Sequence, residues 1–97
     1  MRRGYVYILA NKPFGTIYTG VTNNLPKRVF EHREGIASEF TTRYQVTKLV
    51  WWEEHATVVA AIQRETSIKR WKRDWKIDLI NAHNPTWDDL YESGGLP

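Results

Sequence analysis

The chain has 97 residues, 41% of them apolar, with five Trp, five Tyr and no Cys. This length allows one domain around one modest core, and the absence of thiols excludes disulfides and any Cys-ligated zinc or iron–sulfur site. A net charge of +3 and a pI of about 9.3 favour a nucleic-acid partner only mildly, but the charge is segregated, with Lys69, Arg70, Lys72, Arg73 and Lys76 in one segment and Asp88, Asp89 and Glu92 in the tail.

The first element expected is a strand at Tyr5–Ala10, which is β-branched and aromatic. Asn11-Lys12-Pro13-Phe14-Gly15 has turn chemistry, and residues 16–21 read as a second strand, so the two form an antiparallel hairpin. Asn23 or Asn24 suits a helix N-cap with Pro26 in the first turn, and that helix should run to about Glu34 and stop at Gly35. Residues 36–45 look like a loop. A third strand is expected over Gln45–Glu54. Thr57 can cap a long helix from Val58 to about Trp71, and the helical pattern resumes from Arg73 to Ala82 before Asn84-Pro85 ends it. One more turn over 86–91 and a frayed tail from Gly94-Gly95 complete the reading. The order ββαβαα describes an α/β (α+β) domain, a three-stranded antiparallel sheet flanked by helices. Its expected extent is residues 1–91, with 92–97 as a tail. No apolar run approaches the roughly 20 residues of a membrane helix. The apolar stretch after Met1-Arg2-Arg3 is too short for a signal peptide. A cytoplasmic protein with no membrane partner is therefore expected.

Three groups of residues can carry chemistry. Tyr5, Tyr7 and Tyr18 lie in the hairpin, with Gly20 two residues beyond Tyr18. Tyrosines suit strands for packing alone; a shared site requires Tyr7 to pair with Tyr18 or Gly20, because a one-residue slip sends the phenols to opposite faces. The turn does not decide between these registers. Arg28 and His32 are four apart and share one helix face. An arginine fork matches a phosphate, and a histidine exchanges protons near neutral pH, although a solvated face explains the pair equally. Leu25, Val29 and Phe30 are the apolar side of that helix. Finally, Val58, Ala61, Ile62, Glu65, Ile68 and Lys69 fall on one broad stripe, interrupted by Glu65. A carboxylate there is salt-bridged, left at the edge of a rotated stripe, or bound to a cation. Magnesium keeps most of its waters and needs only one or two protein oxygens. Lys69, Lys72 and Lys76 continue as a basic ridge suited to phosphates, with Trp71 and Trp75 read as core residues. His55 and His83 stand alone.

Taken together, these landmarks resemble the GIY-YIG nuclease superfamily. Tyr5-Val6-Tyr7 stands where the family has GIY, Tyr18-Thr19-Gly20 where it has YIG, and Arg28 with His32 on its helix segment. Glu65 in Gln63-Arg64-Glu65-Thr66 stands at its metal-binding glutamate. Lys76, Leu79-Ile80-Asn81, Asn84-Pro85 and Trp87-Asp88-Asp89-Leu90 resemble the small stand-alone bacterial members. Tyr5 departs from the Gly of GIY and Thr19 from the Ile of YIG. Asn81 and Asn84 are both candidates for an asparagine that many relatives carry after the glutamate. The DNA-binding or zinc module of larger members has no counterpart here. The resemblance implies a metal-dependent endonuclease hydrolysing phosphodiester bonds, in DNA sooner than RNA and in structured, branched or single-stranded substrates, with DNA repair as its setting. Tyr7, Tyr18, Arg28, His32 and Glu65 would be catalytic, Glu65 would hold Mg2+ or Mn2+, and Lys27, Lys69, Lys72 and Lys76 would contact the nucleic acid. The alternatives are a nucleic-acid-binding module without catalysis and a structural or protein-interaction domain.

Overall fold

In a computed structural model, which describes residues 3–94, 96 and 97, three strands and four helices follow one another. They are β1 (Gly4–Ala10), β2 (Ile17–Thr22), α1 (Leu25–Arg33), α2 (Glu39–Arg43), β3 (Lys48–His55), α3 (Val58–Lys69) and α4 (Arg73–His83). The sheet is antiparallel in the order β2-β1-β3, the architecture expected from the sequence. Among the described residues, no helix is long and apolar enough to cross a membrane.

β1 is the central strand, and its alternation divides the core. Val6, Ile8 and Ala10 point to one face and pack with Ala61 and Ile68 of α3, Ile80 of α4 and Trp87. Tyr7 and Leu9 point to the other and pack with Leu25 and Val29 of α1, Val46 and Leu49. Both faces of a central strand are thus covered, which explains the near-continuous apolar run in Tyr5–Ala10. The register against β3 shifts between the Ile8–Trp51 and Leu9–Leu49 pairs. Val50 is the extra residue of this bulge, so it joins Trp51 on the α3 side.

Helix starts follow local chemistry. Asn24, Ser38 and Thr57 each accept a backbone N–H of their own first turn. The expected loop over 36–45 contains α2, held by Ser38 at its start and ended by Gln45 at φ 54°. That residue delays β3 to Lys48. α3 stops at Lys69, short of Trp71, because Arg70 and Trp71 donate to Ser67 and Ile68 and tighten its last turn. Phe30, expected on the core side of α1, is exposed, and His32 takes the buried position instead.

Beyond α4 the chain folds back across the sheet. Buried Asn84 donates through Nδ2 to the carbonyls of Val50 (3.0 Å) and Asp88 (2.9 Å), and its Oδ1 accepts from Asp88 N (3.1 Å). Asn81 Oδ1 accepts from Trp87 Nε1 at 2.7 Å. Arg33 of α1 closes the other end on Asp89 (2.8 Å) and Glu92, and lies over the Tyr91 ring. Both candidate asparagines therefore hold this C-terminal segment. Leu96 packs at the edge of the α1-side core; of Gly94-Gly95, where the frayed tail was expected to begin, Gly95 is outside the described residues. Asn84→Ala leaves buried backbone groups without partners. It is expected to lower the unfolding free energy by about 2–3 kcal/mol, measured by urea denaturation. A loss below about 0.5 kcal/mol would remove the bracket from this account.

Candidate active site

The hairpin register places Tyr7 opposite Gly20. This is a register in which Tyr7 and Tyr18 share a face, because Tyr18 lies two residues from Gly20 on β2. The phenol of Tyr7 lies directly over Gly20: a Cβ there would stand 2.9 Å from Tyr7 Cε2 and closer still to Cζ and Oη. A glycine is needed at this point for space.

α1 approaches the same face. Leu25 and Val29 seat it on the sheet, and one turn further on His32 is buried with 2% of its surface exposed. Three rings then meet. Tyr7 and His32 centroids are 5.7 Å apart, Tyr18 and His32 5.4 Å, and Tyr7 and Tyr18 6.4 Å. Tyr7 Oη lies 2.9 Å from His32 Nε2, and His32 Nδ1 lies 2.8 Å from Thr41 Oγ1.

Hydrogen-bond direction follows from the far end of this chain. Thr41 Oγ1 donates to the Ser38 carbonyl at 3.2 Å, so it accepts from His32 Nδ1–H. Nε2 is then the bare nitrogen and accepts from the Tyr7 O–H. The proton of Tyr7 is committed to His32, and the remaining lone pair of its oxygen is free. Burial, and then the neighbouring Tyr18, push the Tyr7 phenol well above the usual range, so it is neutral. Burial, and then the Arg28 charge, hold His32 down at about 4.

This neutral imidazole makes a pH prediction. An unfolded histidine titrates near 6.5 and folded His32 at about 4, so between these values the unfolded chain binds the extra proton. Stability conferred by the neutral ring is complete above about pH 6.5 and is lost as pH falls toward 4, on the order of 3 kcal/mol in all. His32→Gln should flatten that part of the stability profile. An NMR titration of the His32 ring should give a midpoint below 5; a midpoint of 6 or more contradicts the network.

Arg28 and Glu65 complete the surroundings. Arg28 faces Glu31 at 3.7 Å across a partly exposed pair, and its charge acts on both Tyr7 and His32. α3 lies against the opposite sheet face, but its C-terminal end reaches round the edge strand β2, where Lys69 Nζ is 6.0 Å from the Tyr18 ring centroid. The same Nζ is 3.2 Å from Glu65 Oε2. Glu65 also acts electrostatically on Tyr7. Its side chain is 14% exposed, and the stripe around it is rotated: Ala61 and Ile68 are buried, whereas Ile62 is exposed. Glu65 is thus a salt-bridged carboxylate at the edge of the stripe, not a lone charge in its middle.

The basic ridge is divided by the α3–α4 break. Lys76 Nζ turns back to the Lys69 carbonyl at 3.4 Å, capping α3. Burial, and then the charges of Arg73 and Lys69, lower its pKa. Lys72 is exposed at the start of α4 and Lys27 on the first turn of α1. Trp71 packs against the core, but Trp75 is 55% exposed and so is not the core residue expected. His55 pairs with Glu53 at 2.7 Å, beside Arg64. The residue that sequence reasoning missed is Thr41, which sets the His32 tautomer. The only signal was chemical: a buried imidazole needs a second partner, and no spacing rule pointed to this one.

Comparison with known proteins adds three findings. The family described as the GIY-YIG catalytic domain matches residues 3–78. A UPF0213 protein of Clostridium perfringens is 40% identical over 78 residues, 80% of this chain and 83% of its own. One from Syntrophus aciditrophicus is 37% identical over 84 residues, 86% of this chain and 95% of its own. The solution NMR structure of a UPF0213 protein from Bacillus halodurans aligns with a TM-score of 0.56 at 25% identity, covering 91% of this chain and 93% of that one.

Proposed function

The chain belongs to the GIY-YIG catalytic-domain family, and from that premise we propose that it is a metal-dependent endonuclease hydrolysing phosphodiester bonds in DNA. The observation that carries the reading is the Tyr7–Gly20 register, which sets both phenols on the face where His32 of α1 meets them. Family membership makes nucleic acid the substrate class; DNA, the metal and the residue roles are the proposal.

Each side chain has a part suited to its surroundings. Tyr7 is neutral and held by His32, so it positions a water through its free lone pair. Tyr18 is half-buried; its Oη accepts a hydrogen bond from the attacking water and orients it, and the water's proton passes to solvent. His32 is a weak base at about 4 and acts by fixing Tyr7. Arg28, loosely paired to Glu31 at 3.7 Å, is free to turn its fork to the phosphoryl oxygens. Lys27, Lys69, Lys72 and Lys76 supply positive charge along the strand.

Glu65 fits a divalent cation of one kind. Among the described residues no group of three or more His, Asp or Glu could hold a metal. A cation taken from the protein side by Glu65 alone must keep waters and share phosphate oxygens, which suits Mg2+ or Mn2+. Bound there, it would stabilise negative charge on the leaving oxygen. The Lys69 ammonium, 3.2 Å from this carboxylate, is its partner in the absence of a cation.

The test is a cleavage panel of duplex, branched, flapped and single-stranded DNA, with matched RNA, in Mg2+, Mn2+ or chelator. Metal-dependent cutting of DNA is expected. Salt-sensitive binding with no cutting under any condition would reduce the protein to a binding module, and no binding at all would leave an interaction domain.

A further inference from the structure

Phe40 of α2 and Tyr44, the residue that caps its C-terminal end, are four apart and are 43% and 48% exposed. The core takes only Thr41 from this helix, so both rings lie outside it with nearly half their surface open to solvent. They continue the row of rings at the site. Tyr18 and Phe40 centroids are 6.1 Å apart and Phe40 and Tyr44 5.0 Å. Beside the outer pair is a groove of about 310 Å³ lined by Glu39, Phe40, Arg43 and Tyr44. An aromatic path therefore runs from Tyr18 to open surface, with an arginine alongside.

We infer that Phe40 and Tyr44 form a stacking platform for unpaired nucleobases next to the scissile phosphate, which makes the site selective for DNA that is single-stranded or frayed beside the cut. The inference rests on the endonuclease reading and adds the substrate's strand state. Phosphates and bases alternate along a strand, so a phosphate held between Arg28 and Lys69 sends its neighbouring base outward along the surface. Every base has a π-face, so stacking on exposed rings accepts any sequence. In a duplex those faces are already covered by neighbouring pairs, and an enzyme must unstack a base to reach them. Arg43 supplies both charge and a planar cation for the strand. The occupant is a nucleic-acid strand because the path is continuous with Tyr18, which has Lys69 beside it, and has Arg43 along its outer end.

Binding of a fluorescent 12-nucleotide single strand and of the matching blunt duplex, both in chelator, tests this on the intact protein. The wild type should prefer the single strand. Tyr44→Leu, which keeps apolar bulk but removes the ring, should lower that preference about tenfold, within the range of base–aromatic stacking, whereas Tyr44→Phe should keep it. Phe40→Leu should act in the same direction, and 2-aminopurine placed in the strand should be quenched by the wild type and less by either leucine variant. The proposal is overturned by any of three results: no single-strand preference in the wild type, equal losses for Tyr44→Leu and Tyr44→Phe, or an abasic strand bound as tightly as the normal one. Because no metal is present, these outcomes are independent of whether the protein cuts, which the cleavage panel decides.

Discussion

Gly20→Ala should lower stability by about 2 kcal/mol and reduce cleavage by on the order of a hundredfold or more. The added Cβ meets the Tyr7 phenol at Cζ, Cε2 and Oη. Tyr7 is buried, with His32 Nε2 only 2.9 Å beyond its oxygen, so the ring cannot move aside without pushing out the imidazole or losing the hydrogen bond. The cost is steric and not one of backbone strain, since Gly20 has no left-handed φ. Gly35 provides the contrast: at φ +77° it ends α1, and Gly35→Ala is expected to cost about 1 kcal/mol with cleavage intact. Combining Gly20→Ala with Tyr7→Phe removes the hydroxyl that collides. It should regain part of the lost stability while activity stays low, so that the two substitutions are non-additive in thermal denaturation. A Gly20→Ala protein that melts with the wild type and keeps the Tyr7–His32 contact in its NMR spectrum would show that glycine is incidental there.

The hairpin was legible from residue type, but its register was not, and the turn explains why. Phe14 adopts φ 57°, an uncommon conformation for a bulky residue. It is held there by partners far along the chain. Its ring lies 4.9 Å from that of Trp87, and Arg73 Nη2 donates to the carbonyls of Phe14 (2.9 Å) and Gly15 (2.5 Å). Asn11 closes the loop by accepting from Thr16 N. Local turn chemistry could not specify a conformation that depends on α4 and the C-terminal segment. α2 was hidden for another reason: five residues are too few for a helical period to show. Glu65 and Trp75 illustrate the limit of periodicity itself. It put Glu65 on a stripe but could not tell the middle of that stripe from its edge, and it could not foresee that the break after Lys69 would turn Trp75 to solvent. Arg28 and His32 were legible as a pair because i, i+4 geometry is local. The partner of His32, nine residues on, was not.

Glu65→Ala, Arg28→Ala and Tyr18→Phe should each remove most cleavage while leaving the fold in place. For Arg28→Ala the expected loss is roughly 10²–10³ in kcat, the usual effect of removing one preorganised donor to a developing negative charge. For Glu65→Ala it is about 10³ or more, because the cation is lost along with its charge stabilisation. Folding cannot account for such losses. The Glu65–Lys69 pair at 3.2 Å has its lysine half exposed, the Arg28–Glu31 pair at 3.7 Å is looser, and pairs of this kind contribute about 0–1 kcal/mol. Tyr18→Phe keeps the ring that meets His32 and Phe40 and deletes only the hydroxyl. Melting temperatures should therefore stay close to wild type in all three. Metal dependence separates the roles further. Arg28→Ala should respond to Mg2+ over the same concentration range as the wild type, whereas Glu65→Asp should need more metal and Glu65→Ala should not recover at any concentration. If the three groups act on one phosphoryl centre, Arg28→Ala combined with Glu65→Ala should cost little beyond the worse single variant. Wild-type cleavage in all three single variants would dissolve the site and leave the shared tyrosine face as packing alone.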